Sequence, residues 1–237
     1  MKEVFSLIKE KNCQLAQLPL FEFMQDRSIH PAQRLVFAPC LIPLVMGFAD
    51  LWKEVFRKEP TNNPMQQILN KHTYEEENHW EWLLEDLKKM GLDPSENYTD
   101  TVRFLWGEET QKTRQVCFIL HQFANQENPF FKLVVAEVAE VTANLFFSIT
   151  QKVAWELEEI TKQEYPYFGD CHLNSEANHN INKTEVIDGF EAIELTEQER
   201  QLAFEIVEKG FEAYTEAINE WFVYAQKHQR SPSLQVA

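Results

Sequence analysis

Apolar positions along this chain recur three and four residues apart, and no stretch alternates convincingly at period two, so the pattern predicts helices throughout. Residues 2 to 26 read as one or two short helices. Pro31 sits where a first-turn proline opens a long helix reaching about Arg57, kinked at Pro39 and Pro43. Asn63 and Pro64 form an N-cap and first-turn pair and Gly91 a C-terminal stop, which predicts one continuous helix over residues 64 to 90. Two helices follow, near 99 to 107 and 109 to 126. Pro129 then opens another that runs to about Gln163 and ends at Tyr165-Pro166. Thr196 and Glu199 have capping-box spacing ahead of an apolar stripe through Phe204, Val207, Phe211, Tyr214, Ile218 and Trp221. No linker rich in Gly, Ser or Pro divides the chain. The expectation is an all-α, single-domain multi-helix bundle over residues 1 to 237, with a flexible C-terminal tail at 230 to 237.

Composition supports a well-packed core: hydrophobic residues make up 44% of 237, with 18 Phe and only 6 Gly. The formal net charge of −16 changes the list of partners, because nucleic acid and anionic membrane surfaces are repelled at long range. Part of that charge can also be inward-facing carboxylate neutralised by a cation. Cys13, Cys40, Cys117 and Cys171 are widely spaced without a C-x-x-C pattern and read as reduced thiols. The N-terminus lacks the apolar core of a signal peptide. The longest uncharged run, residues 35 to 49, is short of the ~20 residues that span a bilayer, and it carries two prolines. A soluble cytoplasmic protein is expected.

The candidate chemistry lies in a repeated spacing. His72, Glu76 and His79 form His-x3-Glu-x2-His inside the predicted 64 to 90 helix, where ~100° per residue puts all three within an arc of roughly 60°. The same spacing recurs at His172, Glu176 and His179. Each copy contains Glu-x-x-His, which presents a carboxylate and an imidazole side by side on a helix and is the ligand pair of dinuclear carboxylate bundles. Such bundles add one Glu from each of two further helices. Glu137 and Glu140 are the candidates on the 129 to 163 helix, with Glu140 preferred, and Asp50 and Glu54 are weaker candidates on the first long helix.

Blander readings compete with each of these. Glu75 to Glu77 can be a solvated charge run, and the asparagines at 174, 178, 180 and 182 make the second copy a poor helix former, open to a polar-loop reading. The repetition weighs toward metal. His30 reads as a helix-start residue, and His121 and His228 have no ligand-spaced carboxylates around them. The aromatic residues Trp80, Trp82, Phe104 and Trp106 read as core.

On the Met46-Gly47-Phe48-Ala49-Asp50 end of the first long helix, on His72 to His79 followed by Trp80, Leu84, Asp86, Leu87 and Gly91, and on His172, Glu176 and His179, the chain resembles the haem-oxygenase-like helical superfamily. The closest likeness is to its TenA, PqqC and CADD-like branch and the non-haem di-iron oxidases found there, over roughly residues 15 to 225. The resemblance implies two iron ions, no haem, and activation of O2 to oxidise a small organic substrate; relatives on this scaffold are often homodimers. Carried over by position, it implies His72 or Glu76 with His79, then Glu140, then His172, Glu176 and His179 as ligands. His72 stands where a Glu is often found and Glu176 where Asp is common. Two alternatives on the same fold are a TenA-like cofactorless hydrolase using a cysteine or carboxylate, and a non-catalytic metal-binding or interaction protein.

Overall fold

The computed structural model describes residues 1–93, 97–178 and 193–229, with backbone only for 175–178. The expected tail at 230 to 237 lies outside them. Among the described residues every regular element is helical: α1 (Lys2–Leu15), α2 (Pro19–Gln25), α3 (Pro31–Arg34), α4 (Ile42–Leu51), α5 (Pro64–Glu76), α6 (His79–Lys89), α7 (Tyr98–Trp106), α8 (Gln111–Ala124), α9 (Pro129–Thr161), α10 (Asp170–Asn178) and α11 (Glu197–His228). The first long helix is divided more deeply than a kink. A short 3₁₀ turn at Ala38–Leu41 precedes α4, and a wider π turn at Trp52–Phe56 follows it, so Pro39 and Pro43 each fall in the opening turn of a new segment.

The architecture is built around α9, 33 residues with no exposed side chain between Phe130 and Thr150. A helix apolar all round must have protein on every side. α11 crosses it so closely that a Cβ on Gly210 would stand 2.9 Å from Val138 Cγ1. Glu220 of α11 accepts from the backbone amides of Lys112 and Thr113 and from the Thr113 hydroxyl, which fixes the first turn of α8. The Trp221 indole donates to the same hydroxyl at 2.7 Å. Pro31–Phe56 and Pro129–Thr161 are long and apolar enough to cross a membrane by composition. Within the fold 61% and 67% of their most apolar windows are buried against other helices, so their apolar surface has a protein partner.

Local capping follows the sequence. The Asn63 side chain accepts from the amides of Met65 and Gln66, Thr196 and Glu199 form the reciprocal capping box, and Gly91 takes φ +68° as α6 closes with Leu92 N–H on the Leu87 carbonyl. The 64 to 90 segment, however, is two helices. Three consecutive carboxylates, Glu75 to Glu77, stand at the C-terminal end of α5, where the helix dipole disfavours negative charge, and Asn78 leaves helical geometry at φ −119°, ψ 4°. Arg57 holds the break from outside, with Nη2 2.6 Å from Glu77 Oε2 and Nε donating to Thr73 Oγ1 at 2.8 Å. His79 therefore opens α6 rather than continuing the face of α5. The aromatic expectation also fails at one residue: Trp106 is 74% exposed, with the Arg114 guanidinium above its ring.

Asp86 on α6 is fully buried, and its Oδ2 accepts from the amides of Tyr167 and Phe168, both at 3.0 Å, which pins the turn between α9 and α10. Burial pushes its carboxyl up to about 7 despite those two donors and the nearby Lys89. The native value lies above the unfolded value of about 4, so the native state holds the extra proton and this residue's contribution to stability is greatest at low pH. The contribution falls as pH rises through the interval up to about 7 and is level beyond it. In urea unfolding from pH 5 to 8, the stability of wild type relative to Asp86→Asn is expected to fall with rising pH, by at most ~1.4 kcal/mol per unit. A pH-independent difference contradicts this. Asp86→Ala, which leaves two buried amides without an acceptor, is expected to cost about 2 to 4 kcal/mol near pH 5 and less as pH rises.

Candidate metal centre

Four elements bring ionisable side chains to one place inside the bundle. α5 supplies His72 and Glu76 near its C-terminal end, α6 supplies His79 as its first residue, α9 supplies Glu140 midway along its length, and α10 supplies His172 in its first turn. His72, His79, Glu140 and His172 are all buried, and the side chain of Glu76 is 11% exposed. His72 Nε2 lies 3.1 Å from Glu140 Oε1, and His79 Nδ1 lies 3.1 Å from Glu76 Oε2. One donor atom each from His72, Glu76 and Glu140 falls within 4.8 Å of the other two, a spacing that a single cation can bridge. The rings of His79 and His172 meet with centroids 4.4 Å apart.

An aromatic shell fixes these rings. Trp52 packs edge-on against His72, Trp82 stacks on His79 at 4.6 Å, and Phe147 lies 3.7 Å from His172 by ring centroids. Phe147 follows Glu140 by seven residues, so one face of α9 presents the carboxylate and, two turns on, the ring that supports His172. Periodicity in the sequence pointed to α9 but not to these ring contacts. The donor set of imidazoles and carboxylates without thiolate suits a borderline or hard cation such as Fe(II), Mn(II) or Zn(II).

Electrostatics shape the cluster in a second way. Burial disfavours a charged His72, yet the Glu140 carboxylate at hydrogen-bond distance, with Glu76 and Glu75 beyond it, outweighs burial and pushes His72 up to about 9. Glu137, one turn from Glu140, is pushed up to about 7 by burial and by the Glu140 charge. Glu140 is the one of the two that meets His72 and Glu76 in the three-donor group. Asp50 and Glu54 are exposed, away from this group. Of the seven residues expected as ligands, His72, Glu76, His79, Glu140 and His172 come together; His179 and the side chain of Glu176 lie outside the described residues. Residues 170 to 178 are helical, against the polar-loop reading. His30 caps α3 through its ring, and His228 meets the Tyr224 carbonyl on the surface.

A cavity of about 110 Å³ opens from the cluster into the core. Glu76, His79, Glu140 and His172 line one part of it, and Leu41, Leu44, Phe48, Ala143, Phe146, Ile218 and Trp221 form much of the rest. The chain matches no protein-family model, and no curated protein matches it.

Removing one member of a buried charged pair is more costly than removing both. In the metal-free protein Glu140→Ala is expected to cost about 3 to 5 kcal/mol by chemical denaturation, because the buried His72 loses its carboxylate. The double replacement His72→Leu with Glu140→Leu is expected to recover most of that loss. Equal costs for the single and double variants would mean that the pair is not what balances this part of the core.

Proposed function

We propose that this chain is a non-haem di-iron oxidase of haem-oxygenase-like architecture, related to the TenA, PqqC and CADD-like proteins, that activates O2 to oxidise a small apolar molecule. The observation that carries the reading is the junction of a buried three-histidine, two-glutamate cluster with a largely apolar cavity. In this reading His72, Glu76, His79, Glu140 and His172 hold the metal, joined by Glu176 and His179 of the second His-x3-Glu-x2-His copy. Bound iron would supply electrons and an open coordination position for O2.

The rest of the chemistry falls to the chain. Glu140 and Glu76 balance cationic charge in a site from which the bundle excludes water, so that electrostatic interactions there are strong. Leu41, Leu44, Phe48, Phe146 and Ile218 offer a substrate apolar contact rather than charge pairing, which favours an uncharged hydrocarbon or aryl group beside the metal. Three of the four thiols argue against a cysteine-dependent hydrolase. Burial pushes Cys117 up to about 12 and Cys40 higher still, which keeps both protonated and weakly nucleophilic, and exposed Cys171 is raised as well.

Anaerobic loading with Fe(II) is expected to leave about two irons per chain, and admission of O2 to consume oxygen with the appearance of a ferric charge-transfer absorption. His79→Ala and His172→Ala are each expected to lower iron content and slow oxygen uptake at least tenfold. Wild-type uptake rates in both variants would sink the assignment. Ile218→Phe, which adds volume to the cavity wall from α11, a helix that supplies no donor, is expected to leave iron content unchanged while weakening binding of apolar probes measured by calorimetry.

A further inference from the structure

We infer that Asp86 is a positioning residue for His172, acting through the single peptide unit that joins Tyr167 to Phe168. The inference rests on the cluster being a metal centre, and it adds a residue more remote from the cluster than any ligand considered above. The Phe168 N–H donates to Asp86 Oδ2 at 3.0 Å, and the carbonyl on the opposite side of the same peptide plane, Tyr167 O, lies 3.1 Å from His172 Nδ1. A carbonyl has no hydrogen to give, so the ring nitrogen is the donor, and a neutral His172 then carries its lone pair on Nε2. Nε2 is thereby the nitrogen available to a metal.

The arrangement is over-determined in a way that a chance contact is not. The Tyr167 amide donates to the same carboxylate oxygen at 3.0 Å, so two successive N–H groups hold the plane that carries the carbonyl. The His172 backbone amide donates to the Pro166 carbonyl at 3.1 Å, and Gly169 N–H donates to the Tyr165 carbonyl at 2.8 Å. The turn is wound so tightly that a Cβ on Gly169 would stand 2.6 Å from the Tyr165 oxygen. Asp86 is fully buried and shares α6 with His79, seven residues earlier. One helix thus presents one histidine to the cluster directly and steadies a second from two turns away.

A carboxylate that accepts from a peptide N–H draws density toward the carbonyl of the same unit and strengthens the bond that the carbonyl accepts. The effect on His172 is that of the carboxylates commonly paired with metal-binding histidines: the tautomer is fixed and the ligand nitrogen made more basic, here with one peptide interposed. Asp86 does not itself line the cavity, and the two bonds its carboxylate accepts come from backbone amides and not from the donors of the cluster.

The test uses two readouts on wild type, Asp86→Asn and Asp86→Leu. In metal-free protein labelled with ¹⁵N-histidine, His172 signals are assigned by their loss in His172→Gln. The Nδ1–H tautomer is expected in wild type and Asp86→Asn, which keeps an acceptor for both amides, and a mixture of tautomers in Asp86→Leu. Zn(II) affinity measured against a competing chelator is expected to fall a few-fold in Asp86→Asn and ~10- to 100-fold in Asp86→Leu, with helix content by circular dichroism checked for each. If Asp86→Leu does not fold, Asp86→Asn carries the test. An unchanged Zn(II) affinity in this variant, or an Nε2–H tautomer in wild type, overturns the inference. Wild-type protein that binds no metal would defeat the metal reading, whereas the metal-free spectra would still decide whether Asp86 sets the tautomer.

Discussion

The structure depends on how an apolar bundle tolerates ionisable side chains at its centre. His72 touches Glu140 at 3.1 Å, with Glu76 and His79 paired at the same distance beside them, in a region where an isolated charge is costly to bury. Neither pair is worth keeping for stability alone, since well-packed apolar residues of similar volume generally do as well. Proximity lets each donor balance its neighbour's charge without metal, and it would suit the group to a cation. The core is arranged to support this concentration of donors. α9 carries Glu140 and Phe147 on one face, α11 locks against α9 at Gly210, and Asp86 ties the α9–α10 turn to α6.

Geometry and charge together limit the chemistry. The cluster sits at one part of a cavity whose remaining wall is largely aliphatic and aromatic. A ligand there would meet the cluster on one side and mainly apolar contact on the others. The interruption between α5 and α6 serves the same end. A continuous helix would have kept His79 on the face of α5 that carries His72 and Glu76. The Asn78 turn instead starts a new helix whose first residue reaches Glu76 on one side and the His172 ring on the other.

Much of this was legible before any coordinates. Proline and cap signals at Pro31, Asn63-Pro64, Pro129 and Thr196 marked helix starts that the fold realises, because they depend on chemistry within a few residues. The His-x3-Glu-x2-His spacing pointed to His72, Glu76, His79 and His172, and the dinuclear-bundle pattern to Glu140; these five side chains converge. What it concealed was the route: His72 and Glu76 share a face of α5 but His79 joins from across a broken helix, since periodicity registers spacing and is blind to the Arg57–Glu77 pair that holds the break. The choice of Glu140 over Glu137 was open for a similar reason, as both lie one turn apart on a helix buried nearly all round. Backbone groups such as the Tyr167 carbonyl leave no mark on a sequence at all, and Trp106 shows that an aromatic run need not be core.

The most direct measurement is an anomalous-difference map from crystals loaded anaerobically with Fe(II), collected on either side of the iron absorption edge. The account expects strong density within coordination distance of His72 Nε2, Glu140, Glu76 and His172 Nε2, and a loss of that density in Glu140→Ala. Iron bound elsewhere, or a cluster that remains unchanged and empty under saturating Fe(II), would contradict it.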